Sequence, residues 1–235
     1  MQLNDYLLQT QLLLHDVQSE FFQVGDLERY INIARAQVAL EGECVRGLCT
    51  LQTIPGQNAY PVVGLTNLPT MASSAIVVRG LYAAGQTWEA RSWEWFANLY
   101  LNNPEVVPAG GTPVWAQLGS GTGGVIYLAP APENVSNVTA DAVLLPADIV
   151  AGSPPDILPY PWTDAVPYYA ASLALFNAQR PSEADHMMAM YSMFAQRARK
   201  LSTATTNVRQ QPGFMGAQIA ASATGLASPG GPLSG

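Results

Sequence analysis

Hydrophobic positions follow a helical period at both ends of the chain and a strand period in the middle. Leu3, Leu7, Leu8, Leu12 and Leu14 give an apolar side that predicts a helix over residues 3–15, with Asn4 as its N-cap. Leu27, Ile31, Ala34 and Val38 recur at i, i+4, i+7 and i+11, one face of a 3.6-residue period. Asp26 is placed to cap this second helix and Gly47 to stop it. From residue 48 the period shortens. Residues 48–54, 60–63, 75–82, 114–118, 124–128 and 138–145 read as short strands, separated by turn clusters such as Pro55-Gly56-Gln57-Asn58. Residues 92–101 read as a short helix with Trp93, Phe96 and Tyr100 on one side.

Helical spacing returns after Pro159. Thr163-Asp164 opens a run to about residue 179 through Val166, Ala170, Leu173, Leu175 and Phe176, with Pro167 near its first turn. Arg180-Pro181 interrupts it. Ser182-Glu183-Ala184-Asp185 has the form of a capping box and opens a last helix to about residue 201, with Met187, Met190, Tyr191, Phe194 and Ala198 inward. A short connection between two such helices implies an antiparallel pair. The expected fold is α+β. Residues 1–47 and 158–202 form a helical bundle, because neither helix pair alone buries both faces. Residues 48–157 form an inserted small antiparallel β-sandwich or barrel. Residues 203–235, rich in Thr, Ala, Ser, Gly, Gln and Pro, form an extended C-terminal arm that cannot bury enough apolar area to fold by itself.

Composition sharpens this picture. Of 235 residues, 11% are charged, less than half the usual share of roughly 25%. Ten Lys and Arg face seventeen Asp and Glu, a net charge of −7. That balance excludes a strongly basic DNA-binding protein. A hydrophobic content of 49% excludes a wholly disordered chain. A surface this poor in charge suits a subunit covered by partners more than a solitary protein. The arm is the poorest part, with Arg209 its one charged side chain. The first residues have neither the basic start nor the apolar run of a signal peptide, and no apolar run reaches the roughly 18 residues of a membrane span.

Candidate chemistry is thin. Histidine occurs twice, as His15 and His186, each beside an aspartate, and neither has a second ligand at i, i+4. The run Gly119-Ser120-Gly121-Thr122-Gly123-Gly124 has its serine in the wrong place for a nucleophile elbow and lacks the Gly-Lys-Ser/Thr end of a phosphate loop, so it reads as a hairpin loop. Cys44 and Cys49 lack the further ligands of a metal site and read as reduced or buried thiols. The glutamates are scattered with no paired-carboxylate spacing. Trp88, Trp93, Trp95 and Trp115 could form a sugar-stacking platform, a carbohydrate-binding module using Trp88, Trp93 and Trp115, but core or interface packing is the commoner use of such rings. The expectation is a protein that is not an enzyme, with no catalytic residues, cofactor or metal.

Several stretches together resemble the head-to-tail adaptor, or connector, proteins of tailed bacteriophages. They are Asn4-Asp5-Tyr6-Leu7 with Leu12-Leu13-Leu14-His15-Asp16, then 26–35 with Asp26-Leu27-Glu28-Arg29-Tyr30, the hairpin Ile54-Pro55-Gly56-Gln57-Asn58-Ala59-Tyr60-Pro61, the strand Ile126-Tyr127-Leu128-Ala129-Pro130, and Leu158-Pro159-Tyr160-Pro161-Trp162 leading into the helical pair. The resemblance implies a structural virion protein. It would form a homo-oligomeric ring, commonly of twelve copies, below the portal protein at the head–tail junction. It would be assembled in the bacterial host cytoplasm, extend the DNA channel, touch DNA only as it passes through the lumen, dock the tail or nozzle protein, and involve no membrane. It also implies that the C-terminal arm reaches into the portal, with Arg209, Phe214, Met215, Ile219 and Leu226 as the candidate portal-binding residues. Another tail component, such as a tail terminator or tube protein, is the alternative.

Overall fold

A computed structural model describes residues 1–83, 85–101 and 113–209. The chain divides into two compact units, Met1–Ala195 and Gln196–Gly235. Among the described residues it is mixed α+β, with five helices and two sheets of four strands each.

The first unit opens with helix α1 (Leu3–Leu13) and helix α2 (Val24–Gly42). The Gln2 backbone N–H donates to the Asp5 carboxylate at 2.8 Å, so Gln2 and not Asn4 stands at the start of α1. Asp26 likewise sits inside the first turn of α2, where a negative charge is favoured by the helix dipole. The stop of α2 is not Gly47. The helix ends where Glu43 takes the left-handed conformation, at φ 45°. Gly42 is needed there for space, because a Cβ would fall 2.7 Å from the ring of buried Trp162.

Strands β1 (Arg46–Gln52), β2 (Ala59–Pro61), β3 (Ala72–Ala83), β4 (Gln86–Thr87) and β5 (Glu89–Ala90) follow. Helix α3 (Trp93–Phe96), capped by the Ser92 side chain, runs into a wider turn over Ala97–Leu101. Strands β6 (Val114–Leu118), β7 (Val125–Ala129) and β8 (Asn137–Pro146) complete the β region. One sheet has the order β1-β8-β3-β4 and the other β2-β7-β6-β5. The strands were expected to be antiparallel throughout, but β5 pairs with β6 in parallel. Two-residue strands carry too little pattern to be read beforehand. Buried Val138, Ala140 and Ala142 alternate along β8, as expected of a strand with one face on a core. The glycine run closes the β6–β7 hairpin with a single 3-10 turn at Gly121–Gly123.

Helix α4 (Val166–Asn177) follows a 3-10 turn at Trp162–Ala165 and packs on both α1 and α2. Leu14, Leu27, Ala171, Ala174, Leu175 and Ala184 form one buried cluster there. Full burial of a leucine such as Leu27 contributes about 2 kcal/mol. Phe176 departs from expectation: it lies outward, 65% exposed, because the helix turns its smaller neighbours Ala171 and Ala174 to the core. Helix α5 (Pro181–Arg209) begins at Pro181, so Ser182 is already helical and does not cap it. The backbone also stays helical beyond residue 201, where the change in composition suggested an end. Thr, Ala and Asn weaken a helix without breaking it, and the first strong breakers are Pro212 and Gly213.

Candidate functional site

The geometry of the first unit is set by a buried polar cluster. Asp156, in the connection between β8 and α4, receives Arg35 Nε at 2.9 Å and Arg35 Nη2 at 2.5 Å. Both side chains are out of water. The Tyr6 hydroxyl donates to the same carboxylate at 2.7 Å. Arg35 Nη1 also donates to Asn32 Oδ1 and to the Ala147 carbonyl, each at 2.9 Å. Burial pushes the Asp156 carboxyl up, but the hydrogen bonds and charge of Arg35, with help from Tyr6 and the Leu158 N–H, bring it below the usual carboxylate range. Burial, with the Asp156 charge next, drives the Tyr6 phenol well above its ordinary value. One anion thus ties α1, α2 and the connector together.

A second carboxylate shapes the loop between α1 and α2. Asp16 accepts the backbone N–H groups of Glu20, Phe21 and Phe22 at 2.8, 3.0 and 2.8 Å. Burial works to raise its pKa, yet these three donors outweigh it and the carboxyl lies below its ordinary value. The loop backbone is therefore pinned while Phe21 stands 83% exposed. Below Phe21 lies a recess of about 800 Å³ between the end of α1, the end of α4 and the start of α5. Leu14, Phe22, Leu175 and Met187 give it an apolar floor, and His15, His186 and the Arg180–Glu183 ion pair give it a polar rim.

The two histidines thus meet at one recess, although each reads alone in the sequence; only the packing of α1 against α4 and α5 brings them together. Among the described residues no group of three or more His, Cys, Asp or Glu side chains could hold a metal ion. Cys44 and Cys49 are free, and burial pushes the Cys44 thiol up to about 12 and raises that of Cys49. Such thiols are poor nucleophiles. Trp115 is buried and Trp93 packs against Phe96 and Tyr127, so two of the four candidate sugar-stacking rings serve a core, while Trp95 is exposed. Arg209 is the last residue of α5, and Phe214, Met215, Ile219 and Leu226 lie outside the described residues. Among the described residues no helix is long and apolar enough to cross a membrane.

No protein-family model matches the chain, and no curated protein matches it.

Proposed function

We propose that this chain is a structural virion protein, a head-to-tail adaptor whose copies form a ring below the portal, continue the DNA channel and dock the tail. In this reading α1, α2, α4 and α5 act as a helical bundle and the two sheets as an inserted β-sandwich. The end of α5 and the residues after it serve as the portal-binding arm, with Arg209, Phe214, Met215, Ile219 and Leu226 as its anchors. DNA passes through the lumen, and no membrane is involved.

The observation that carries the proposal is the outward apolar surface on a pinned frame. Phe21 is held out by Asp16, and Leu8, Leu12, Ile33, Leu40, Phe176 and Met193 are exposed on four helices. In this reading, contact with neighbouring copies covers these apolar side chains. A ring of identical copies covers such patches without leaving free ends. Many copies then add avidity, so each arm contact can be weak.

The test is binding to purified portal. Deleting residues 210–235, which leaves α5 whole, abolishes binding if the arm is the tether; undiminished binding overturns that role. Sixfold rings in electron micrographs would point instead to a tail terminator or tube protein.

A further inference from the structure

The net charge of −7 hides a division. The first unit holds six arginines and all seventeen acids, a net of −11, while the second holds Arg197, Arg199, Lys200 and Arg209 and no acid, a net of +4. Arg197, Arg199 and Lys200 are exposed on α5. In the first unit, Arg35, Arg46, Arg79, Arg91 and Arg180 are each ion-paired, to Asp156, Asp141, Glu43, Glu89 and Glu183. Among the other acids, Asp5, Glu20, Asp26, Glu94, Glu133, Asp148 and Asp185 are exposed.

Two acids, half-buried Glu28 and exposed Asp148, share one recess. Glu28 on α2 and Asp148 after β8 line a recess of about 530 Å³ with Arg29, Asn32, Ile33 and Val150. Asp148 is exposed, but the backbone on either side of it is clamped. The Ala147 carbonyl accepts Arg35 and its N–H donates to the Met71 carbonyl at 2.7 Å. Ile149 donates to Asn32 Oδ1 at 2.9 Å and accepts from Asn32 Nδ2 at 3.1 Å. The Arg35–Asp156 cluster thus extends through Asn32 to fix the backbone that carries Asp148. A charge carried on a fixed backbone loses less freedom on pairing than one on a mobile loop.

We infer that the basic half of α5 in one copy docks on the Glu28–Asp148 recess of the next copy. Arg197 and Lys200, at i and i+3, lie on one side of α5 and can meet two carboxylates together. Ile33 and Val150, both exposed at the recess, offer apolar contact to exposed Leu201. Donor and acceptor are different patches of the same chain, which makes the contact head-to-tail and lets it close a ring. A protein partner fits better than a phosphate backbone. Four cations per copy release few counterions, and the first unit's −11 repels DNA.

The inference rests on the ring reading, and charge reversal of the full chain separates the two. Oligomer mass by native mass spectrometry across a salt series is the readout, with circular dichroism to confirm folding. R197E/K200E alone and E28K/D148K alone each weaken assembly at least about tenfold, and the four changes combined restore it. Wild-type assembly weakens with added salt. Rings that form from both reversed variants as from wild type overturn the docking and leave the ring intact. A wild-type chain that stays monomeric at every salt concentration, with or without portal, overturns both. Loss of duplex DNA retention by R197E/K200E with unchanged assembly assigns α5 to nucleic acid and overturns the docking.

Discussion

The guanidinium of Arg35 and the carboxylate of Asp156 meet at 2.5 Å with both side chains out of water, and they join helix α2 to the connector that leads into α4. The pair is buried but well supported: Tyr6, Asn32, Ala147 and Leu158 take up further donors and acceptors of the two groups. Removing one member leaves the other charged and buried. Asp156→Ala is expected to cost about 3–5 kcal/mol in urea unfolding. Tyr6→Phe, which removes one bond to the charged oxygen, is expected to cost about 1.5–3 kcal/mol. A loss under 1 kcal/mol for Asp156→Ala would show that the pair does not hold the helices to the connector.

The same cluster sets the pH range of stability. Asp156 and Asp16 titrate below their ordinary value in the folded chain, so the folded state holds fewer protons than the unfolded one as the pH falls through about 4. Their contribution is complete above that pH and is lost in more acid solution. Tyr6 titrates above its ordinary value, so its contribution is complete below about pH 10 and is lost as the pH rises past it. Melting temperatures from pH 2 to 11 should show a plateau with a fall at each end. Tyr6→Phe should flatten the alkaline fall, and Asp156→Asn should reduce the acid one.

Asp16 governs the loop that presents Phe21. Asp16→Ala frees three backbone N–H groups and is expected to speed amide exchange at Glu20, Phe21 and Phe22 while α2 keeps its protection. Phe21→Ser should leave the exchange pattern and the melting temperature unchanged but weaken association with partners, since the ring is solvent-exposed in the single chain. Equal effects of both variants on the fold would remove the distinction between frame and contact.

Gly42 and Trp162 give a steric test. A Cβ at Gly42 meets the indole at 2.7 Å, and Trp162 is one of the largest fully buried side chains. Gly42→Ala should cost about 1–3 kcal/mol through overpacking. Trp162→Phe in the same chain should recover part of that loss, as read from denaturant midpoints.

Much of the fold is legible in the sequence because burial imposes a period. Leu27, Ile31, Ala34 and Val38 mark the buried side of α2 without help from the structure, and all four are buried. Val114–Leu118 is a strand where the pattern places one. Helix ends are harder, because they depend on space and on single residues outside the pattern. Gly42 ends α2 against a tryptophan distant in sequence, and residues 202–209 extend α5 simply because nothing breaks it. Phe176 points outward although its spacing fits the core, since two alanines suffice on that side. The recess of His15 and His186, the anion cluster around Asp156 and the clamped Asp148 join residues far apart along the chain, so no local signal announces them. The division of charge between the two units is written in the sequence and becomes meaningful once the units are defined.

The most direct measurement is electron microscopy of the full chain mixed with purified portal. The adaptor reading predicts a ring of identical copies, expected to number twelve, seated on the portal with a continuous central channel. A chain that stays monomeric beside an intact portal, or that assembles only into sixfold rings away from it, would contradict the reading.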